Sequence, residues 1–188
     1  MNFILVRHGK TQGNIERRYI GCGTDEPLLE EEKKRLRQKG YPIAERVFVS
    51  PMLRCIETAE EIYPDSEITV VPDLRECDFG AFENHTYEEL KDCPEYQAWL
   101  DSGGELAFPD GESRSSFSMR CVQAFENAIA GLEDGCYAFV VHGGTIMAIM
   151  EKYAVPKGEY YTFQEGNGNG YILNSDGSYR RIDAFVEL

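Results

Sequence analysis

The sequence predicts an α/β fold: a mostly parallel sheet, a C-terminal antiparallel hairpin and a small cap. Three observations predict it. Short apolar runs of strand length alternate with segments of helical spacing, the pattern of βαβ units. The runs stop abruptly at Arg7, Pro51, Pro72 and His142, where the spacing changes. The last two runs, GYILN and YRRIDAFVEL, are separated only by SDGS, which reads as a hairpin.

Each element has a local reason. FILV (3–6) is a short buried strand. Residues 9–27 hold Gly9, Gly13, Gly21, Gly23 and Pro27 and read as a loop with one helical turn. EEEKKRLRQKG (30–40) is a helix stopped by Gly40, and RVFVS (46–50) a strand stopped by Pro51. MLRCIETAEEIY (52–63) has helical spacing at Leu53, Ile56 and Ala59, and EITVV (67–71) is a third strand. Residues 73–112 are irregular and acidic, with two short helices, and read as a cap within a single domain spanning 1–188. A helix is expected over 113–133, on an apolar stripe of Val122, Phe125, Ile129 and Leu132. YAFVV (137–141) is a fourth strand, and a helix opens directly behind it at Gly143. GNGNG (166–170) has no helix after it, so it reads as a turn before the final hairpin and not as a nucleotide loop.

The composition limits the partners. A net charge of −14 repels nucleic acid and anionic membranes. No apolar run approaches a membrane span, and the four apolar residues at the start are too few for a signal-peptide core, so a cytoplasmic location is expected. Six cysteines contain no C-x-x-C pair, which favours reduced thiols over zinc or disulfides. The charge is uneven: residues 1–20 carry a net +3, whereas 57–112 carry −15. A local positive pocket in an acidic protein suits a small anion.

Parallel α/β sheets bind ligands beyond the carboxyl ends of their strands. Two of the three histidines, His8 and His142, stand at such ends, each followed by glycine. Arg7 beside His8 would repel a metal cation, and no H-x-x-x-H spacing appears. Histidine with arginine suits phosphoryl transfer instead, in which a neutral imidazole attacks phosphorus and fixed cations hold its oxygens. Arg54, in the first turn after the second strand, adds a guanidinium at the same edge, and the helix opening at Gly143 offers free N–H groups. A carbonyl accepting from Nδ1 of His8 would leave Nε2 as the attacking atom.

The order of motifs resembles the histidine phosphatase superfamily in its phosphoglycerate mutase-like branch. RHGKTQGN (7–14), DEPLLEEEKKRLRQKG (25–40), SPMLRCIETAE (50–60), LRECDFGAFENHTYEEL (74–90), PDGESRSSFSMR (109–120) and VVHGGTIMAIM (140–150) carry the resemblance over nearly the whole chain. It implies a three-layer α/β/α sandwich that needs no metal or cofactor. It also implies that His8 is the nucleophile and becomes phosphohistidine, and that Arg7, Arg54 and His142 hold the phosphoryl oxygens. By the same resemblance Glu76 donates a proton to the leaving oxygen and then activates water, while Asn14 and the backbone of Gly143 lie near the phosphate. Glu76 is one of 17 acids between 57 and 112, and the resemblance alone selects it. Burial and the neighbouring Asp73 and Asp78 are expected to raise its pKa, with Arg75 opposing.

The expected activity is a metal-independent phosphomonoesterase acting on a small phosphorylated metabolite. Length and motifs come nearest the α-ribazole phosphatases, which points to α-ribazole 5′-phosphate. A phosphoglycerate mutase-type phosphotransferase and a non-catalytic phospho-ligand binder are the alternatives. Lys10 departs from the family's acidic or amide residue, and either adds charge at the pocket mouth or points to solvent. Cys22, Cys55 and Cys77 neighbour the motif segments, either as small packed side chains or as sites where oxidation inhibits. His85 is read as helping to cap a short helix.

Overall fold

The computed structural model describes residues 1–175 and the strand backbone of 182–187. Six strands form one sheet: β1 (Asn2–Arg7), β2 (Arg46–Val49), β3 (Ile68–Val70), β4 (Cys136–Val141), β5 (Gly170–Ser175) and β6 (Ile182–Glu187). Their order is β3-β2-β4-β1-β5-β6. β3, β2, β4 and β1 are mutually parallel, and β5 and β6 complete the sheet antiparallel. The SDGS turn of the expected hairpin falls almost wholly outside the described residues.

The alternation of the strands makes three layers. Phe3, Leu5, Phe48, Tyr137 and Phe139 enter one buried cluster, whereas Ile4, Val6, Val47, Val49, Ala138 and Val140 enter another. A strand's neighbouring side chains point to opposite faces, so both faces of this sheet are buried. Helix α3 (Leu53–Ile62) covers the second face with Cys55 and Ala59, and α2 (Glu30–Lys39) packs beside it. Helices α6 (Arg114–Ile129) and α7 (Gly143–Tyr153) cover the first face. The loop after β1 holds the one short helix expected there, α1 (Gln12–Glu16).

α6 ends earlier than its apolar stripe predicts. Val122, Phe125 and Ile129 are buried, but Ala130 is extended and Gly131 takes φ +77°, so Leu132 reaches the core from outside the helix. Residues 73–112 contain α4 (Tyr87–Leu90), α5 (Pro94–Asp101) and the 3-10 turn Gly80–Phe82, and a second such turn, Pro72–Leu74, leads into them. Phe82, Tyr96 and Phe108 of this cap belong to the same buried cluster as Phe3 and Leu5, so cap and sheet share a core. α4 is capped by Thr86 and Glu89, each bonding the other's backbone N–H; His85 Nδ1 instead bonds the Glu83 carbonyl, correcting the capping role expected of it. No helix among the described residues is long and apolar enough to cross a membrane.

Candidate active site

Strand register brings the sequence-distant residues together. Arg7 pairs with Val141 and Val49 with Val140, so β1, β2 and β4 end almost level. The residue following each strand is His8, Ser50 and His142 respectively. The two imidazoles meet edge to face, with ring centroids 5.2 Å apart. Arg54 enters from the first turn of α3, which starts three residues after Ser50. His142 is the N-cap of α7, so that helix's positive end lies at the same point.

His8 is 4% exposed, and its Nδ1 lies 2.7 Å from the Gly9 carbonyl. A carbonyl only accepts, so Nδ1 carries the proton and the lone pair is on Nε2. Gly9 N–H donates to Thr58 Oγ1 at 2.9 Å, which ties this loop to α3. A Cβ on Gly9 would lie 2.8 Å from Leu36, so the close approach requires glycine. His142 is fully buried, with Nε2 2.7 Å from Ser50 Oγ and Nδ1 3.9 Å from Glu76 Oε2.

Two guanidiniums stand beside these rings without a carboxylate partner among the described residues. Arg54 is fully buried; its Nη1 donates to Thr24 O and its Nη2 to Gly21 O, each at 3.0 Å. Arg7 donates from Nη1 to Glu165 O. The buried Nε of each arginine has no acceptor. A buried cation without a counter-ion, and buried donors without acceptors, are costly; fully buried Arg54 and the covered Nε of half-buried Arg7 together suit an anion.

The electrostatics follow from burial. Burial, reinforced by the Arg54 and Arg7 charges, holds His8 well below its ordinary 6.5. Burial, then Arg54 and His8, does the same to His142. Both rings are therefore neutral near pH 7. Glu76 accepts from Cys77 N–H at 2.9 Å, and burial raises its pKa against the opposing pull of that hydrogen bond, Arg54 and Arg7. Asp73 and Asp78 are not among the causes, and Arg75 is turned outward onto Asp73. The raised value thus comes from desolvation and not from the acidic neighbourhood the sequence displays.

A cavity of about 360 Å³ opens onto this group. Arg7, His8, Asn14, Glu76 and Gly144 line it beside the imidazoles, with Tyr160 OH donating to Gly144 O at 3.3 Å, and Tyr19, Phe79, Trp99, Phe108 and Tyr161 add aromatic surface to the rest of its wall. Arg54, His142 and Gly143 lie behind the wall, not on it. Asn14 Oδ1 accepts from Thr11 N–H and from Asn167 Nδ2, both at 3.1 Å. Lys10 is exposed and absent from the wall, so of its two expected placements it takes the solvent one. Burial raises Cys22 and Cys77 and pushes Cys55 up to about 12, which disfavours the thiolates that oxidation requires.

Two supporting positions differ in how legible they are. Ser50 stands at a strand end that the sheet-edge rule already singles out with those of His8 and His142, and the structure adds its hydrogen bond to His142. Asn167 had no such signal. Its side chain donates to His8 O at 3.1 Å, and Gly168 N–H donates to Arg7 O at 2.9 Å. The GNGNG turn therefore braces the loop bearing His8, with Gly168 at φ +72°.

Against known proteins, the family model described as histidine phosphatase superfamily (branch 1) matches residues 3–187. The chain belongs to that superfamily. The phosphatase class expected from the sequence stands with this membership. A probable phosphoglycerate mutase of Enterobacter sp. strain 638 is 34% identical over 154 residues, covering 74% of this chain and 68% of the relative. An adenosylcobalamin/alpha-ribazole phosphatase of Escherichia coli K12 is 30% identical over 128 residues, covering 64% and 63%. Among solved structures, a phosphoglycerate mutase of Thermus thermophilus superposes with TM-score 0.73 at 30% identity, covering 100% of this chain and 99% of its own. The alpha-ribazole phosphatase of Shigella flexneri superposes with TM-score 0.80 at 23% identity, covering 94% and 92%, and shows the shared fold.

Proposed function

We propose that the chain is a metal-independent phosphomonoesterase working through a phosphohistidine on His8. The observation that carries this reading is the pair of guanidiniums without carboxylate partners, Arg54 fully buried and Arg7 half-buried with its Nε covered, beside two neutral imidazoles. In the first step the Nε2 lone pair of His8 attacks phosphorus, the P–O bond to the leaving group breaks, and the Glu76 carboxyl gives that oxygen its proton. Arg7, Arg54 and the N–H groups at the start of α7 hold the equatorial oxygens, with His142 and the Asn14 amide beside them. In the second step Glu76 carboxylate takes a proton from water, the water oxygen attacks phosphorus, and the P–N bond breaks to restore His8. Inorganic phosphate then leaves.

The rest of the cavity wall bears on the substrate. Its remaining arginines, Arg18 and Arg114, already pair with Glu16 and Glu89 and with Glu105. That wall therefore offers aromatic surface more readily than a second anion site. It favours the monophosphate of an uncharged, ring-bearing alcohol, for which α-ribazole 5′-phosphate is the candidate. The second reading is a phosphoglycerate mutase-type phosphotransferase, favoured by the 34% identical relative.

A phosphomonoester panel on wild type and His8→Ala, with quenched trapping of the intermediate, tests the proposal. The trapped species should be acid-labile and alkali-stable, and His8→Ala should be inactive. Full activity in His8→Ala would refute the nucleophile. Tight phosphate binding with no turnover would indicate a binder. Turnover of 3-phosphoglycerate only with a bisphosphate primer would indicate the mutase.

A further inference from the structure

Glu76 lies in a stretch without regular secondary structure, between the 3-10 turns Pro72–Leu74 and Gly80–Phe82. No strand ladder or helix holds its backbone, so other groups must satisfy and fix it. Arg120, on α6, does so. Its Nη1 donates to Asp73 O at 2.8 Å and Arg75 O at 3.1 Å, and its Nη2 to Glu76 O at 3.4 Å. Its Nε and Nη2 also donate to the two oxygens of Glu112 at 2.9 and 2.6 Å. All five guanidinium N–H groups are thereby used. Glu112 in turn accepts from Asp78 N–H at 3.0 Å, and its own N–H donates to Asp78 O at 2.9 Å. The pair thus grips residues 73–78 on both sides of Glu76. The Arg120 guanidinium also lies 5.3 Å over the Phe117 ring, against which a Cβ on Gly144 would collide.

We infer that Arg120 and Glu112 are positioning residues for Glu76, fixing where its carboxyl can deliver a proton, in addition to their part in holding the fold. The inference rests on the acid role of Glu76 proposed above. It predicts a defect that depends on the leaving group. An alkyl phosphate needs its leaving oxygen protonated, whereas p-nitrophenyl phosphate expels a stable phenolate and needs the acid far less. The readout is kcat/KM, which covers only the steps through alcohol release and so excludes the later base role of Glu76.

Arg120→Met, Arg120→Lys, Glu112→Gln and Glu76→Gln are compared on a simple alkyl phosphate and on p-nitrophenyl phosphate. Competitive inhibition by inorganic phosphate and circular dichroism report the folded site. Glu76→Gln should lose on the order of 10²-fold or more on the alkyl ester and much less on the aryl ester. Arg120→Met should lose about tenfold more on the alkyl than on the aryl ester, with phosphate inhibition retained. Glu112→Gln should show the same bias in smaller measure, and it keeps the test available if Arg120→Met does not fold. Arg120→Lys keeps the charge but has only three donors, so the bias should persist. Equal losses on both esters, or full recovery of the wild-type ratio by lysine, would overturn the inference. If Glu76→Gln itself shows no bias, the acid role fails, and that outcome is distinct from failure of the positioning pair alone.

Discussion

Phosphate should stabilise this protein specifically, and Arg54→Met should remove most of that effect. Arg54 is fully buried and, among the described residues, has no carboxylate partner; its Nε has no acceptor, and the same holds for Arg7 Nε. A bound phosphate would satisfy the Arg7 donor directly and that of Arg54 once the wall in front of it yields, with charge-assisted hydrogen bonds each worth about 1.5–3 kcal/mol. At a phosphate concentration 100 times Kd, binding to the folded state adds about 2.7 kcal/mol. For a chain of this size that is roughly 5–11 °C in Tm. Losing Arg54 at about 2–3 kcal/mol weakens phosphate binding roughly 30- to 140-fold. The same phosphate concentration then adds only about 0.3–0.9 kcal/mol, roughly 1–3 °C. The assay is a thermal melt in phosphate against sodium chloride of equal ionic strength, with the increment compared between wild type and variant. This isolates binding from any change in baseline stability caused by orphaning the Gly21 and Thr24 carbonyls. The same increment in Arg54→Met as in wild type would refute the anion-site argument, as would a wild type that phosphate stabilises no more than chloride.

Gly144→Ala should lower kcat while leaving the fold in place, because the new Cβ would lie 2.8 Å from Phe117 Cε1 and 3.0 Å from Glu76 Oε1; overpacking of this kind costs about 1–3 kcal/mol, and wild-type turnover with an unchanged Tm would contradict it. Stability should fall as pH drops below about 6.5, because the unfolded chain then binds protons that buried, neutral His8 and His142 do not, at up to about 1.4 kcal/mol per pH unit per histidine. Urea midpoints at several pH values should show a shallower dependence in His142→Asn, and an identical slope would count against burial as the cause. kcat/KM for an alkyl phosphate should fall on the alkaline side with an apparent pKa above the 4.5 of an ordinary glutamate, since burial raises Glu76; a limb at or below that value would exclude Glu76 as the acid. Asn167→Ala should cost about 1–2 kcal/mol by denaturant titration, because the His8 and Gly9 carbonyls and Asn14 Oδ1 lose their shared donor.

The sheet was legible because strand and helix signals are local. FILV is followed by Arg7 and His8 and YAFVV directly by His142, and a parallel sheet aligns the carboxyl ends of such strands, so the two histidines belong at one edge on sequence grounds alone. The register then set Ser50 level with them. Arg7 beside His8 pointed to an anion for the same local reason. Glu76 was not legible from residue physics, because nothing near it in sequence separates it from the other acids of 57–112. Its neighbours Asp73 and Asp78 were expected to raise its pKa, and burial does so instead.

By itself, then, the sequence determined the α/β pattern, the two histidines at strand ends and the cluster of positive charge beside the first of them, since each depends on residues within a few positions of one another. Only the tertiary structure decided that Arg54 is buried without a counter-ion, that Lys10 faces solvent, that Asn167 braces a loop 159 residues away and that Arg120 grips the Glu76 segment. Those outcomes turn on desolvation and on hydrogen bonds between distant segments. Neither exists until the sheet has closed and its two faces are covered.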